Sequence, residues 1–261
     1  MIEDSSPVPA PAALLPPGTP TGTLLPSPNS GIPADYMVSV VMPVYNEART
    51  IRQIVEQVQA VPLRKEIIAV DDCSTDGTGA VLEELAREGH IRLFKHRTNS
   101  GKGAAVRSGL AQVRGHIVII QDADLEYDPS EYPLLLAPIL KGRSKAVYGS
   151  RFLGAHKAMY FWHQLGNKML TLVTNILFDT TLTDMETCYK VFTADIARKL
   201  DIQSDRWGID PEITAKILRM GNRIYEVPIT YTGREMWEGK KISWRDGIAV
   251  VGTLLRYRFW K

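Results

Sequence analysis

Four acids follow directly on a short apolar run in the segment HIVIIQDADLEYDP, His116 to Pro129. Ile117, Val118, Ile119 and Ile120 have the composition of a strand buried on both faces. Asp122, Asp124, Glu126 and Asp128 then place a carboxylate at every second position. Clustered like charges repel and raise one another's pKa unless something positive arrives. Oxygen donors of this kind suit a hard divalent ion, which takes one or two carboxylates and completes its shell with substrate phosphates. Such an ion neutralises charge building on a departing phosphate. A solitary D-x-D is also what an ordinary solvated acidic loop looks like, so the other strand ends must be read with it.

A second acid pair, Asp71 and Asp72, opens DDCSTDGT after the apolar run EIIAV. Ser74, Thr75, Asp76 and Gly77 are turn formers and helix caps. Capping accounts for them, but not for two adjacent acids at the end of a buried strand. An ionised carboxylate in that place is a strong, directional acceptor for a nucleobase or ribose. The turn NSGKGAAVRSG, Asn99 to Gly109, sets Lys102 between two glycines at the entrance to a helix. Small residues permit close backbone approach, and a lysine brings a point charge to anionic groups. The turn is neither a Walker A loop nor a G-x-G-x-x-G dinucleotide fingerprint, and an ordinary helix cap has the same composition.

A frame is needed to bring these residues together. From Met37 onward, apolar runs alternate with helical periodicity. MVSVVMPVYN reads as a strand, and Ile51, Ile54, Val55 and Val58 then recur at helical spacing. Strands at EIIAVDD, IRLFKH and HIVII alternate with helices at GTGAVLEELAREG and GKGAAVRSGLAQVRG. This alternation predicts an α/β fold, a mostly parallel sheet flanked by helices. In such sheets ligands bind beyond the carboxyl ends of the strands. Asn46 and Glu47, Asp71 and Asp72, and Asp122 and Asp124 all fall there. The second half is less regular. KAVYGSRF reads as a strand ending in Gly149, Ser150 and Arg151, and FWHQLGNKMLTLVTNILFD as a long helix. DPEITAKILRMG is a helix that opens near Pro211 and closes on Gly221. RIYEVPITYTGRE is an edge strand, because Pro228 removes a ladder donor. ISWRDGIAVVGTLLRYRFWK closes the chain as a helix.

Composition excludes several classes. With 44% hydrophobic and 23% charged residues in 261, the chain is an ordinary globular protein with a sizeable core. Its net charge of +2 gives no reason to expect nucleic acid. Cys73 and Cys188 show neither metal-ligand spacing nor a disulfide framework, which suits a reducing compartment. No apolar run approaches the ~18–20 residues of a spanning helix. Nine of the sixteen prolines lie in the first 35 residues. That stretch is expected to be a disordered tail over 1–36, too poor in burial to offset its ordering entropy. Its acidic, proline-broken start does not read as a signal peptide, so a cytoplasmic location is expected.

VVMPVYNE, VDDCSTDGT, NSGKG and QDADLEYDP, in that order over about ninety residues, resemble the family 2 glycosyltransferases of the GT-A fold. YGSRF, TDMETCYKVF, WGIDPEI, YEVPITYTGRE and GKKISWRDG are similar to one branch, the dolichol-phosphate mannose and glucose synthases. With them the resemblance covers roughly residues 38 to 247. It implies a single domain over 37–261, with a nucleotide-binding half at 37–129 and an acceptor half at 130–261. Pro43, Tyr45 and Glu47 would cradle the nucleoside, with Asp72 reaching the base and Lys102 near the nucleotide. Asp122, Ala123 and Asp124 would face the donor diphosphate, and Asp122, Asp124 and Glu126 would hold Mg²⁺ or Mn²⁺. Arg151 would face phosphate and Lys190 would hold the acceptor phosphate. Arg234 and Lys240 or Lys241 would close over the diphosphates from a loop. Asp210 or Glu212 stands where related enzymes that glycosylate hydroxyls place a base. A first helical turn also favours acids electrostatically. A polyprenyl phosphate needs no base, since its second pKa is ~6 and it is anionic at neutral pH.

The resemblance therefore implies an inverting transfer of hexose from GDP-mannose or UDP-glucose to a polyprenyl phosphate, dolichyl or undecaprenyl, on the cytoplasmic face of a membrane. A small membrane subunit or a second copy of the chain would be its protein partners. Two alternatives stay open. One is a family 2 enzyme acting on a soluble or polysaccharide hydroxyl. The other is a binding module without catalysis, against which Asp122 and Asp124 count. Trp162, Leu165, Met169, Leu172, Val173, Ile176 and Leu177, and the terminal run with Arg256, Arg258 and Lys261, have the mixture of an interfacial helix. Core packing would explain the same apolar residues.

Overall fold

The computed structural model describes residues 36–233 and 244–260. The proline-rich tail and the loop residues Arg234, Lys240 and Lys241 lie outside them.

β1 (Val38–Val44) leads to α1 (Ile51–Ala60), β2 (Lys65–Asp71), α2 (Thr78–Arg87), β3 (Arg92–Lys95), α3 (Lys102–Leu110) and β4 (Ile117–Ile120). A short 3₁₀ turn and α4 (Tyr132–Leu140) follow, then β5 (Ala146–Ser150) and α5 (Phe161–Phe178). β6 (Lys190–Thr193), α6 (Ala194–Lys199), α7 (Ile209–Arg219), β7 (Ile224–Pro228) and α8 (Trp244–Phe259) complete the described order. The periodic residues of α1 behave as their spacing predicts: Ile51, Ile54, Val55 and Val58 are all buried.

One seven-stranded sheet runs in the order β3-β2-β1-β4-β6-β5-β7. β1 pairs in parallel with β2 and with β4, from Val38↔Lys65 to Val44↔Asp71 and from Val38↔Ile117 to Val41↔Ile120. The chain therefore adds strands to one side of β1, then crosses to the other. That reversal opens a crevice at the carboxyl ends of β1 and β4. β7 is an edge strand that ends on Pro228, as the missing N–H requires.

β6 is a strand that the sequence reading missed. It runs antiparallel to both neighbours, with Ile117↔Thr193 and Ile119↔Val191 on one side and Val147↔Val191 on the other. Because β6 is reversed, the loop that enters it, rather than the loop that leaves it, reaches the crevice edge. Thr183 to Tyr189 thereby arrive beside the acid loop that follows β4.

α5 is apolar on two sides. Leu170, Val173 and Leu177 pack toward Met185, Val250 and Leu254, closing a small second core between α5 and α8. Trp162, Leu165, Met169, Leu172 and Ile176 are instead exposed. Their spacing of three and four residues puts them on one helix face. Leu255, Phe259 and Trp260 of the terminal segment are exposed as well. Among the described residues no helix is long and apolar enough to cross a membrane.

Candidate active site

The first two strand-end loops form one interlocked construction. Asn46 sits at a φ of 55°, a conformation that asparagine tolerates better than most residues. Its N–H donates to Ser74 Oγ (3.0 Å), and Thr75 N–H donates back to Asn46 Oδ1 (2.8 Å). Glu47 N–H donates to Thr78 Oγ1 (2.9 Å) and Ala48 N–H to Asp76 Oδ2 (3.2 Å). Pro43, Tyr45 and Glu47 line this loop, each half-buried. Thr50 Oγ1 then reaches the carbonyl of Ala123 at 2.9 Å, tying the loop to the D-x-D segment.

Asp72 is turned inward. It is buried, and its carboxylate accepts Ser100 N–H (2.8 Å) and Gly101 N–H (2.7 Å), with His96 Nδ1 also 2.7 Å away. These bonds hold the glycine turn in place. The glycines also have a different partner from the one their sequence suggests. A Cβ on Gly101 would stand 2.4 Å from Asp205 O, and one on Gly103 would stand 2.1 Å from Ser204 O. Their small size seats the 204–205 backbone, and Ala104 N–H donates to Asp205 O (3.1 Å).

That seating aims Lys102. Its Nζ lies 2.7 Å from Asp122 Oδ1 and 3.0 Å from Oδ2, with the Trp207 ring 5.9 Å away. Burial works against both charges, yet their attraction prevails. Asp122 lifts the Lys102 ammonium above its usual range, and Lys102 holds the Asp122 carboxyl below its own. Asp124 is only 7% exposed, and its Oδ1 accepts Glu126 N–H (3.1 Å). Glu126 in turn accepts from the Tyr231 hydroxyl (2.8 Å).

These engagements bear on the metal. Among the described residues, no three or more His, Cys, Asp or Glu side chains gather as a metal cluster. The expected set of Asp122, Asp124 and Glu126 is therefore not assembled as a three-carboxylate cage; Lys102 engages Asp122, a loop N–H engages Asp124 and Tyr231 engages Glu126. Asp122 and Asp124 remain hard oxygen donors on one short loop. This suits a divalent ion that takes most of its ligands from phosphates and water.

The β5–β6 side of the crevice is built from buried ion pairs. Arg151 meets Asp184 through two parallel bonds, Nε to Oδ2 and Nη2 to Oδ1, each 2.7 Å, while its own N–H donates to Asp184 Oδ2. Its guanidinium also lies 5.3 Å from the Tyr231 ring. Lys190 is 0% exposed; its Nζ contacts Asp210 Oδ1 at 2.5 Å and donates to the Thr187 carbonyl, over the Tyr148 ring. Lys190 is thus paired with Asp210 beneath the surface. Glu212 is buried and accepts from Gln203 N–H, Ser204 N–H and Tyr257 Oη, with Lys216 beside it. Burial raises its pKa, but Lys216 and these donors outweigh that and bring it down to about 2. It organises the 203–204 loop and is not free to act as a base.

Asp184, Glu186, Trp207 and Tyr231 join the site without having been singled out. Asp184 and Glu186 were visible in TDMETCYK, but nothing marked that segment as a strand entrance at the crevice. Glu186 lies among Asp210, Lys190, Arg151 and Asp184, and burial, followed by Asp210, pushes its carboxyl up to about 8.

A family model described as "Glycosyl transferase family 2" matches residues 39–201. The chain is 31% identical over 227 residues to an undecaprenyl-phosphate mannosyltransferase of Micrococcus luteus, covering 83% of this chain and 92% of that one. It is 31% identical over 211 residues to a polyprenol monophosphomannose synthase of Mycolicibacterium smegmatis, covering 77% and 79%. A dolichyl-phosphate beta-glucosyltransferase of Trichomonas vaginalis is 28% identical over 257 residues, covering 88% and 77%. In structure, the chain is similar to glucosyl-3-phosphoglycerate synthase from Mycobacterium tuberculosis, solved with Mn²⁺, UDP and phosphoglyceric acid. The TM-score is 0.66 at 21% identity, with 87% of this chain and 80% of that chain covered.

Proposed function

Since the chain belongs to the family 2 glycosyltransferases, we propose that it moves a hexose from a nucleotide sugar to a polyprenyl phosphate at a membrane surface. The observation that carries this reading is the charged Lys102–Asp122 pair beside Asp124, at the crevice where β1 and β4 end. Relatives that transfer to undecaprenyl, polyprenol and dolichyl phosphates, matched over most of the chain, supply the acceptor class. The donor is GDP-mannose or UDP-glucose.

Asp122 and Asp124 would hold Mg²⁺ or Mn²⁺, which, when bound, neutralises charge on the nucleoside diphosphate. The protein supplies the rest. Lys102 keeps Asp122 ionised and stands ready to meet donor phosphate. The interlocked loops around Asn46 and Ser74 fix the wall along which Pro43, Tyr45 and Glu47 lie. An anionic oxygen of the acceptor phosphate attacks the anomeric carbon as its bond to the donor phosphate oxygen breaks, so the nucleoside diphosphate leaves and the centre is inverted. The competing reading, a hydroxyl acceptor, needs a base, and Asp210 is already bound to buried Lys190.

The exposed stripe of α5 supports contact with a membrane. Trp162 and Ile176 are 77% and 72% exposed, and they lie on one face with Leu165, Met169 and Leu172. Aromatic and aliphatic residues in this arrangement suit an interface-lying helix. A cytoplasmic, peripheral location follows from the same reading.

The test incubates the protein and polyprenyl phosphate vesicles with radiolabelled GDP-mannose or UDP-glucose, with and without Mn²⁺ or Mg²⁺. Label should enter a mild-acid-labile lipid, and EDTA should abolish it. Asp124→Ala should cut transfer by ~10²–10³-fold. Label confined to water-soluble product would instead favour the hydroxyl reading.

A further inference from the structure

The loop entering β6 carries a carboxyl group that the rest of the site does not use. Glu186 Oε1 is buried and has no hydrogen-bond partner among the described residues. The charged groups that act on it most strongly come from four segments: Asp210 from α7, Lys190 from β6, Arg151 from the end of β5 and Asp184 from its own loop. Both cations are already committed, Arg151 to Asp184 and Lys190 to Asp210. These four charges sum to zero, so the protonation of Glu186 sets the net charge of the pocket. An ionised Glu186 would make it negative, with one buried oxygen lacking any donor, a costly arrangement. It would also repel an incoming phosphate.

We propose that Glu186 is a specificity-determining residue, a neutral carboxylic acid whose O–H donates to an oxygen of the acceptor phosphate. The role rests on the polyprenyl-phosphate reading above. An O–H···O⁻ bond to an ionised acceptor is roughly twice as strong as a neutral one. A phosphate therefore gains more from Glu186 than an alcohol does, and the buried oxygen acquires its partner only when substrate arrives. Arg151 and Lys190 act behind it as positioning residues whose charges are already balanced.

Steady-state kinetics with a short-chain polyprenyl phosphate in detergent, run on wild type, Glu186→Gln and Glu186→Ala, test this. The amide of Glu186→Gln still donates, so its acceptor KM should stay within about threefold of wild type, whereas Glu186→Ala should raise it about tenfold or more. The donor KM should be unchanged in both, which also reports that they fold. In wild type the acceptor KM should climb above about pH 8, as the burial-raised Glu186 ionises. Glu186→Gln should lose that alkaline limb. An unchanged acceptor KM in Glu186→Ala, equal damage to donor and acceptor KM, or a limb that survives in Glu186→Gln would each overturn the role while leaving the acceptor class intact. A wild type that labels no lipid would overturn the acceptor class itself, and Glu186's role with it.

Discussion

On the β1–β2 side of the crevice, acids accept hydrogen bonds from loops: buried Asp72 from Ser100 and Gly101, exposed Asp76 from Ala48 and Thr78. Across the crevice, on the β5–β6 side, Asp184 and Asp210 neutralise the buried cations Arg151 and Lys190. The same residue type thus does two different jobs. In the first half, carboxylates shape the backbone that a nucleotide would meet. In the second, they fix charge in a poorly solvated pocket, where each cation has one acid and Glu186 is left over.

The strongest way to break this contrast is Asp184→Ala. It would leave Arg151 buried without its bidentate partner and should cost about 3–5 kcal/mol, read as a large fall in Tm. The matching change in the first half, Asp72→Ala, removes an acceptor shared by two N–H groups and should cost about 1–3 kcal/mol. It should also weaken donor binding, by loosening the turn that aims Lys102. Gly103→Ala would press a methyl group toward Ser204 O, 2.1 Å away, and should cost a similar ~1–3 kcal/mol. A Tm equal to wild type in either variant would mean that the two loops are less closely seated.

A smaller effect should appear as a pH dependence. Glu212 has a folded-state pKa of about 2, below its unfolded value of ~4.3, so it binds protons less readily when folded. Its contribution to stability is complete above the unfolded value and is lost as pH falls toward about 2. Chemical denaturation between pH 5 and 2 should show a steeper loss for wild type than for Glu212→Gln. The smallest change in stability belongs to Trp162→Ser combined with Ile176→Ser. Tm should hold, while sedimentation with anionic vesicles should fall several-fold, because these side chains are largely exposed.

The first half was legible because its strands alternate with helices, and its acids follow each strand in the order that the crevice demands. The structure gives two of these features protein partners that no local sequence signal shows. Asp72 holds the turn at Ser100 and Gly101, and Gly101 and Gly103 seat the backbone at 204–205, about a hundred residues away in sequence. The second half was harder to read for a related reason. β6 is four residues long, carries a charged Lys190 at its start and runs against the direction of its neighbours. Nothing local in TCYKVFTAD distinguishes it from a loop, so the sequence around Asp184 and Glu186 carries no signal of their place in space. α5 was legible as an apolar helix, but not as one whose two faces part company.

The pairing of β4 with β6 has a consequence for how the chain acquires its shape. Ile117 to Ile119 must find Val191 to Thr193 across some seventy intervening residues. Loop closure over such a span is entropically slow, so this contact should form late in folding and set its rate. Until it does, the open side of β4 is a bare edge able to pair with another chain. A fragment ending near residue 129 would keep that edge permanently. It should aggregate, whereas the intact chain should unfold in a single transition.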